Sequence, residues 1–319
     1  MSTPGDSIPT ETAPYAELTC RDVKANPYHF PERHLFRGAT YNGVPVLNLP
    51  VSADPVTHIK RIRKLSMRDD DVIIVAFPKC GTHWVSEMLH MLESGSTDYA
   101  TQPKEFAMVE FTDDLTQLDQ MASPRLLNSH LYIAHLPEQV LEKKVKLIHL
   151  IRNPKDCAVS LYYHMKQHSP ELFNFDNFVR GYTTEGYTTM SHQPNYLRQM
   201  AEFEKDNPDH PIFHIHYEDL KKDPVSILQE LARFVGVEAS QKLCHDIASA
   251  CGFNRLKQAD TRRDLPEHLS KRFTNGFNIY RKGVVGDWKN TFTVAQSEMF
   301  DQFMARQEAK GLHYNFRWQ

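Results

Sequence analysis

The run Val72-Ile73-Ile74-Val75-Ala76-Phe77 constrains this chain more than any other segment. Six apolar residues in succession, four of them β-branched Val or Ile, read as a strand buried on both faces. Pro78 ends it. Trp84, Met88, Met91 and Leu92 then recur at helical spacing until Gly95 stops the pattern. Two further runs repeat the theme: Val145-Lys146-Leu147-Ile148-His149-Leu150-Ile151 and Ile212-Phe213-His214-Ile215-His216. Arg125-Leu126-Leu127 is a candidate fourth strand. With helical segments between these runs, the sequence predicts an α/β fold, a single domain with a central parallel β-sheet flanked by helices.

The helices carry their own end signals. Pro154 suits a first helical position, with Ala158, Leu161 and Tyr162 facing inward. Asp223 is an N-cap with Pro224 at N1, and Ile227, Leu228, Leu231, Phe234 and Val235 supply the apolar face. Thr293 and Gln296 form a capping box, and Gly311 sits where a C′ glycine belongs. Asn42-Gly43 predicts a short hairpin turn, with Pro45 restricting its strand to an edge. Residues 1–14 are polar and rich in Ser, Thr and Pro, which predicts a flexible N-terminal tail ahead of one domain over 15–319.

Charge narrows the function classes. The chain has 319 residues, with 37 basic against 40 acidic side chains and a net charge of −3. A bulk nucleic-acid or anionic-membrane binder would be more basic, so no nucleic acid and no membrane are expected, and any anion site must be local. No apolar run approaches the roughly 20 residues of a bilayer span. The five cysteines, at 20, 80, 157, 244 and 251, include no Cys-x-x-Cys pair. That pattern, with no apolar leader, predicts reduced thiols and a cytoplasmic location. His164 and His168 are four apart, and His210, His214 and His216 cluster, but neither group has paired zinc-ligand spacing, so no metal is expected.

Two segments carry anion chemistry. Phe77-Pro78-Lys79-Cys80-Gly81-Thr82-His83-Trp84 joins the first buried strand to a helix. A helix N-terminus offers free N–H groups and the positive end of its dipole. Gly81 permits close backbone approach, Lys79 adds a point charge, and Thr82 adds a hydroxyl; an ordinary turn with a surface lysine is the plainer alternative. A P-loop-like strand-loop-helix is thus present without the Gly-x-x-x-x-Gly-Lys-Ser/Thr order or the Mg²⁺ carboxylate of a nucleotide kinase. The second segment is Arg152-Asn153-Pro154-Lys155-Asp156-Cys157-Ala158-Val159-Ser160. Arg152 stands at a strand's carboxyl end, where open α/β sheets bind ligands.

Together these segments resemble the cytosolic sulfotransferase family. Pro78 to Trp84 is similar to its 5′-phosphosulfate loop. Ile151 to Asp156 with Ser160 is similar to its 3′-phosphate motif. Tyr280-Arg281-Lys282-Gly283-Val284-Val285-Gly286-Asp287-Trp288-Lys289 resembles its C-terminal Arg-Lys-Gly motif. Lys289, Thr293, Val294 and Glu298 match its dimerisation motif, and His216-Tyr217-Glu218-Asp219 resembles the segment beside the adenine. The motifs run in family order from about residue 72 to 298. The resemblance implies 3′-phosphoadenosine 5′-phosphosulfate (PAPS) as sulfuryl donor, no metal, and a homodimer. It places Lys79, Cys80, Gly81, Thr82 and His83 at the 5′ end of the nucleotide and Trp84 against the adenine. Arg152, Ser160, Arg281, Lys282 and Gly283 would hold the 3′-phosphate, whose recognition suits guanidinium forks. Tyr217, Cys251, Phe253 and Leu256 would lie near adenine.

The chain has 17 histidines, so composition cannot select a base. Pro124-Arg125-Leu126-Leu127-Asn128-Ser129-His130-Leu131 resembles the segment carrying the family's catalytic histidine, which assigns His130. The resemblance also gives Lys79 the charge on the bridging oxygen and Ser160 a hold on Lys79. Four positions depart from the family pattern. Cys80 stands for Ser, His83 for Thr, Asn128 for the Lys of many members, and Cys251 for a Thr common near adenine. His83 is expected to donate from a ring nitrogen. A lowered thiol pKa at Cys80, beside Lys79 and a helix N-terminus, would make the donor site redox-sensitive, and an inert small residue is the alternative.

The acceptor is expected to be a small, largely apolar molecule with a hydroxyl group, a phenol, steroid or other alcohol. Met108 and Phe111, from the stretch over 99–123, are candidate wall residues. Phe173, Phe175, Tyr182, Tyr187 and Met190 are candidates for a lid. Ordinary core packing would use the same residue types. The alternative function is a catalytically impaired PAPS-binding protein, owing to Cys80, His83 and Asn128.

Overall fold

The computed structural model describes residues 40–41, 44–46, 54–167, 174–183, 193–260, 263–265, 267–270 and 279–318. The tail over 1–14, the Asn42-Gly43 turn itself, and Phe173, Tyr187 and Met190 lie outside these. Strands β1 (Thr40–Tyr41) and β2 (Val44–Pro45) pair antiparallel, as a hairpin requires. The central sheet holds β3 (Val72–Ala76), β4 (Leu126–Ser129), β5 (Lys146–Ile151) and β6 (Ile212–His216). Its order is β4-β3-β5-β6, and every pair is parallel. Each of the four sequence runs forms a strand, with ends shifted by a residue or two.

Helices follow the strands. They are α1 (Pro55–Arg63), α2 (Thr82–Ser94), α3 (Pro154–Lys166), α4 (Phe175–Tyr182), α5 (Gln193–Asp206), α6 (Tyr217–Lys222), α7 (Pro224–Val235), α8 (Gln241–Ala250), α9 (Phe253–Asp260) and α10 (Val294–Ala309). Their ends match the sequence signals. Gly95 closes α2 in the left-handed region, and Asn153 caps α3 with Pro154 following. Asp223 caps α7, and the Thr293–Gln296 capping box opens α10.

Strand β3 shows why its sequence is apolar throughout. Val72, Ile74 and Ala76 enter one core, while Ile73 and Val75 enter a second on the opposite face with Ile59 and Ile62 of α1. Full burial of each Val or Ile contributes about 1.5–3 kcal/mol. Helix α4 belongs to the first core. Its Tyr182 is fully buried and stacks on Phe300 at 5.6 Å, and Phe175 meets Phe292 edge-on at 5.0 Å. These two residues, expected in a lid over the acceptor, are therefore structural packing. Their rings pack on Phe300 of α10 and on Phe292 just before that helix. Among the described residues no helix is long and apolar enough to cross a membrane.

The order β4-β3-β5 has a consequence for the site. The chain leaves β3 toward β4, then crosses back to β5 on the other side. The crevice beyond the carboxyl end of β3 is thus a topological switch point, the standard ligand position in open α/β sheets.

Candidate active site

Three strand ends feed this crevice: residues 77–81 after β3, His130 after β4 and Arg152 after β5. After β3 the backbone enters the left-handed region twice, at Lys79 (φ +72°) and Gly81 (φ +106°). Gly81 is the N-cap of α2 and brings no capping side chain, so the first-turn N–H groups are left for a ligand. A β-carbon on Gly81 would stand 2.9 Å from the Tyr217 ring, so glycine is required for both reasons.

Arg152 and Tyr217 brace this loop. Arg152 Nη1 donates to the Lys79 carbonyl at 2.8 Å, and its guanidinium lies 4.3 Å from the Tyr217 ring centroid. Arg152 Nε is buried and has no partner among the described residues. Trp84 meets Tyr217 edge-on at 5.6 Å, and Trp84 Nε1 is likewise buried and unpartnered. Burial lowers the Lys79 ammonium to about 8, with the Lys104 and Arg152 cations adding to the effect.

The segment after Tyr280 docks on α3 through Asp156. That carboxylate accepts from the backbone N–H groups of Gly286 (2.6 Å) and Trp288 (2.9 Å). Asp287 holds Arg281 Nη1 at 2.5 Å and Lys282 Nζ at 2.9 Å. Arg281 also lies 4.9 Å over the Tyr163 ring. Gly283 has φ +65°, and a β-carbon there would fall 2.1 Å from the Phe253 ring. Phe253 in turn meets Tyr280 at 6.0 Å. A second group of cations and an aromatic wall are thereby fixed relative to α3.

His130 sits at the end of β4 in a defined tautomer. Its Nδ1–H donates to the Ala76 carbonyl at 2.8 Å, which leaves the lone pair on Nε2. Its backbone N–H donates to the buried Glu110 carboxylate at 2.6 Å. Burial, then the Lys104 cation, hold the imidazole down at about 3, so it is neutral at ordinary pH.

Several predicted residues are placed differently from expectation. His83 Nε2 lies 2.6 Å from Glu105 Oε1. Burial lowers this imidazole to about 4, and a neutral ring has one N–H, so Glu105 takes the donor expected for a phosphate. Cys80 is buried, 3.9 Å from Cys157 Sγ, and burial pushes its thiol well up, which overturns the redox-sensitive thiolate. Desolvation outweighs the helix N-terminus here, and the residue contributes its backbone. The Cys251 thiol faces Met91 Sδ at 3.7 Å, and Leu256 is buried, so both lie in the core instead of on an exposed adenine face. Ser160 is half-buried on α3, and among the described residues it is not hydrogen-bonded to Lys79. Met108 is buried with its sulfur on Lys104, while Phe111 is half-buried. Lys289, Thr293, Val294 and Glu298 are all exposed on and before the first turns of α10.

Sequence reading missed Lys104, Glu105, Glu110 and Asp156, because acidic and basic residues in polar stretches carry no periodic signal. It also grouped the wrong histidines. His149, Glu204 and His214 bring possible ligand atoms within 4.8 Å, whereas His210 Nε2–H donates to the Val145 carbonyl. His149 and His214 are hydrogen-bonded to each other at 3.2 Å, and burial lowers both rings.

Comparison with known proteins identifies the family and the fold. The family model described as "Sulfotransferase domain" matches residues 69–312. Sulfotransferase 1A1 of Bos taurus is 32% identical over 263 residues, covering 78% of this chain and 87% of its own. Sulfotransferase 1B1 of Canis lupus familiaris is 33% identical over 275 residues, covering 81% and 90%. The crystal structure of mouse sulfotransferase SULT7A1, complexed with 3′-phosphoadenosine 5′-phosphate (PAP), superposes with a TM-score of 0.68 at 24% identity. That match covers 86% of this chain and 95% of the mouse one.

Proposed function

The chain belongs to the sulfotransferase family, and from that premise we propose that it moves a sulfuryl group from PAPS to a hydroxyl of a small, largely apolar acceptor, with His130 as general base. The observation that carries this reading is the His130 tautomer. Its Nδ1–H is committed to the Ala76 carbonyl, so a neutral Nε2 lone pair is held at the same crevice as Lys79.

The residues present fit the donor. It carries phosphate groups on both sides of its ribose, and the crevice has two separate groups of anion-binding side chains. The α2 N-terminus, Lys79 and Thr82 suit the 5′ side. Arg152, Arg281, Lys282 and the Gly283 backbone, with Ser160, suit the 3′-phosphate. The unpartnered Arg152 Nε and Trp84 Nε1 are donors that a bound nucleotide would satisfy. When bound, PAPS supplies an activated sulfuryl group. His130 Nε2 takes the proton of the acceptor hydroxyl as that oxygen bonds to sulfur. The bond from sulfur to the bridging oxygen breaks, and Lys79 stabilises the charge left on that oxygen. His130 is then an imidazolium that returns its proton to solvent.

Two further features of the protein follow from the same reading. Val294 is 77% exposed at the start of α10, beside exposed Lys289, Thr293 and Glu298, and this supports a homodimer through that motif. The described cysteines are free thiols, which supports a reducing, cytoplasmic setting.

The test is transfer of radiolabelled sulfuryl from PAPS to a panel of phenols and hydroxysteroids, by wild type and His130→Ala. Transfer by wild type is expected, with a fall of at least about 100-fold in the variant and unchanged PAP affinity. Transfer that survives His130→Ala removes the base assignment. PAP binding with no transfer to any acceptor selects the impaired, nucleotide-binding alternative.

A further inference from the structure

A second cation approaches this site from a segment that the motifs do not include. Lys104 opens the single turn Lys104–Ala107, and its side chain is 3% exposed. Its Nζ donates to a thioether, Met108 Sδ, at 3.0 Å. The nearest carboxylate oxygen, Glu105 Oε1, is 4.0 Å away, beyond hydrogen-bond distance. An ammonium has three donors and sulfur is a weak acceptor. Among the described residues, then, a buried ammonium has a carboxylate at ion-pair distance but no oxygen at hydrogen-bond distance, and leaving its donors without an oxygen acceptor is costly unless a ligand supplies one.

Backbone pairing fixes where this charge lies. Met108 forms a parallel bridge to Asn128, and Val109 N donates to the Asn128 carbonyl at 3.2 Å. The Asn128 side chain is itself 1% exposed, and neither Oδ1 nor Nδ2 has a partner. On the other side, Glu105 holds His83 at the first turn of α2. Lys104 is thus clamped between the start of the helix that follows Lys79 and a residue two positions before His130. Its charge reaches Lys79, His83 and His130, lowering the proton affinity of all three.

We propose that Lys104 supplies the second cation at the transferring sulfuryl group, donated from a different segment in place of the lysine that Asn128 replaces. The proposal rests on the donor reading above. As the acceptor oxygen bonds to sulfur and the bridging bond breaks, negative charge spreads over the sulfuryl oxygens. Lys104 Nζ donates to one of them and stays protonated, the hydroxyl proton going to His130. Asn128, with its unsatisfied amide, lies beside the same oxygens. The Glu105 carboxylate favours the charged form of Lys104 against the burial that lowers its proton affinity, and the His83 N–H also bonds to that carboxylate.

PAP lacks the sulfuryl group and PAPS carries it, so the two nucleotides separate this role from folding. Calorimetric titration of both into wild type, Lys104→Met, Lys104→Gln and the double variant Lys104→Met/Asn128→Lys is the experiment. Both single variants are expected to bind PAP within about threefold of wild type and PAPS about 10- to 100-fold more weakly, the range for a charge-assisted hydrogen bond. The double variant is expected to recover most of the PAPS affinity. Equal weakening of the two nucleotides, or loss of both in the variants, makes Lys104 a structural residue and overturns the proposal. Wild type that binds neither nucleotide overturns the donor reading, and this proposal with it. Wild type that binds both, with variants that discriminate neither, overturns this proposal alone.

Discussion

Removing the Asp156 carboxylate should loosen the Arg281–Gly283 segment without touching the nucleotide. Asp156 is buried and accepts two short backbone hydrogen bonds, from Gly286 at 2.6 Å and Trp288 at 2.9 Å. A hydrogen bond to a charged group contributes about 1.5–3 kcal/mol, which gives about 3–6 kcal/mol for the pair. Gly286 and Trp288 are only half-buried, so water can reach the freed N–H groups and recover part of that. A net cost of about 2–3 kcal/mol remains. It must surface in one of two places. If the segment stays docked in Asp156→Ala, the cost is a stability loss, about 3–5 °C in melting temperature for a chain this long. If the segment detaches, PAP binding must rebuild it, and affinity falls by about 30- to 150-fold at 1.4 kcal/mol per decade. Calorimetric titration of PAP and thermal unfolding with and without PAP read both quantities on one sample. A variant with PAP affinity within twofold of wild type and an unchanged melting temperature would refute the docking role of Asp156.

Three other outcomes follow from the geometry. Gly283→Ala places a methyl group where the Phe253 ring is, at a positive φ, and should weaken PAP binding by more than about tenfold; normal affinity would mean that Phe253 moves freely. Lys79 is held at about 8, so its charge is lost as pH rises through that value, and PAP affinity should decline above pH 8, by at most about tenfold per pH unit. Lys79→Arg should remove that slope, and a wild-type profile flat to pH 9.5 would contradict the contact. His130, His83 and His135 are lowered to about 3, 4 and 4, so between pH 4 and 6.5 the unfolded chain binds more protons than the folded one. Stability therefore falls as pH drops below 6.5, by up to about 2 kcal/mol per ring at pH 5, and thermal unfolding at pH 5 and pH 7 with no difference would count against buried neutral imidazoles.

The sheet was legible because parallel strands buried on both faces leave unbroken apolar runs, as Val72 to Ala76 do. Caps were legible because Asp223 and Thr293 act on neighbours three residues away. Arg152 and His130 each follow a strand directly and Lys79 lies in the loop after β3, so strand order brings them together, but His130 was singled out among 17 histidines by its segment's likeness to the family. Side-chain direction was harder to read. Cys80 and Cys251 sit in motif positions, yet their thiols turn into the core, because a small apolar group gains more there than at a polar surface. Lys104 gave no signal at all. Its place depends on a bridge between Met108 and Asn128, twenty residues apart in sequence, and on a buried carboxylate that only tertiary structure brings to His83. Tyr182 misled in the opposite sense, since an aromatic in a variable loop and one in a core helix look alike until Phe300 is beside it.

Titration of PAP into wild type and Arg152→Ala tests the nucleotide site most directly. Arg152 carries an unpartnered buried donor and braces the Lys79 carbonyl, so it ties the end of β5 to the loop after β3. Saturable one-to-one binding by wild type, weakened by at least about tenfold in the variant, is the predicted result. A folded wild-type protein that gives no binding signal at millimolar PAP would contradict it.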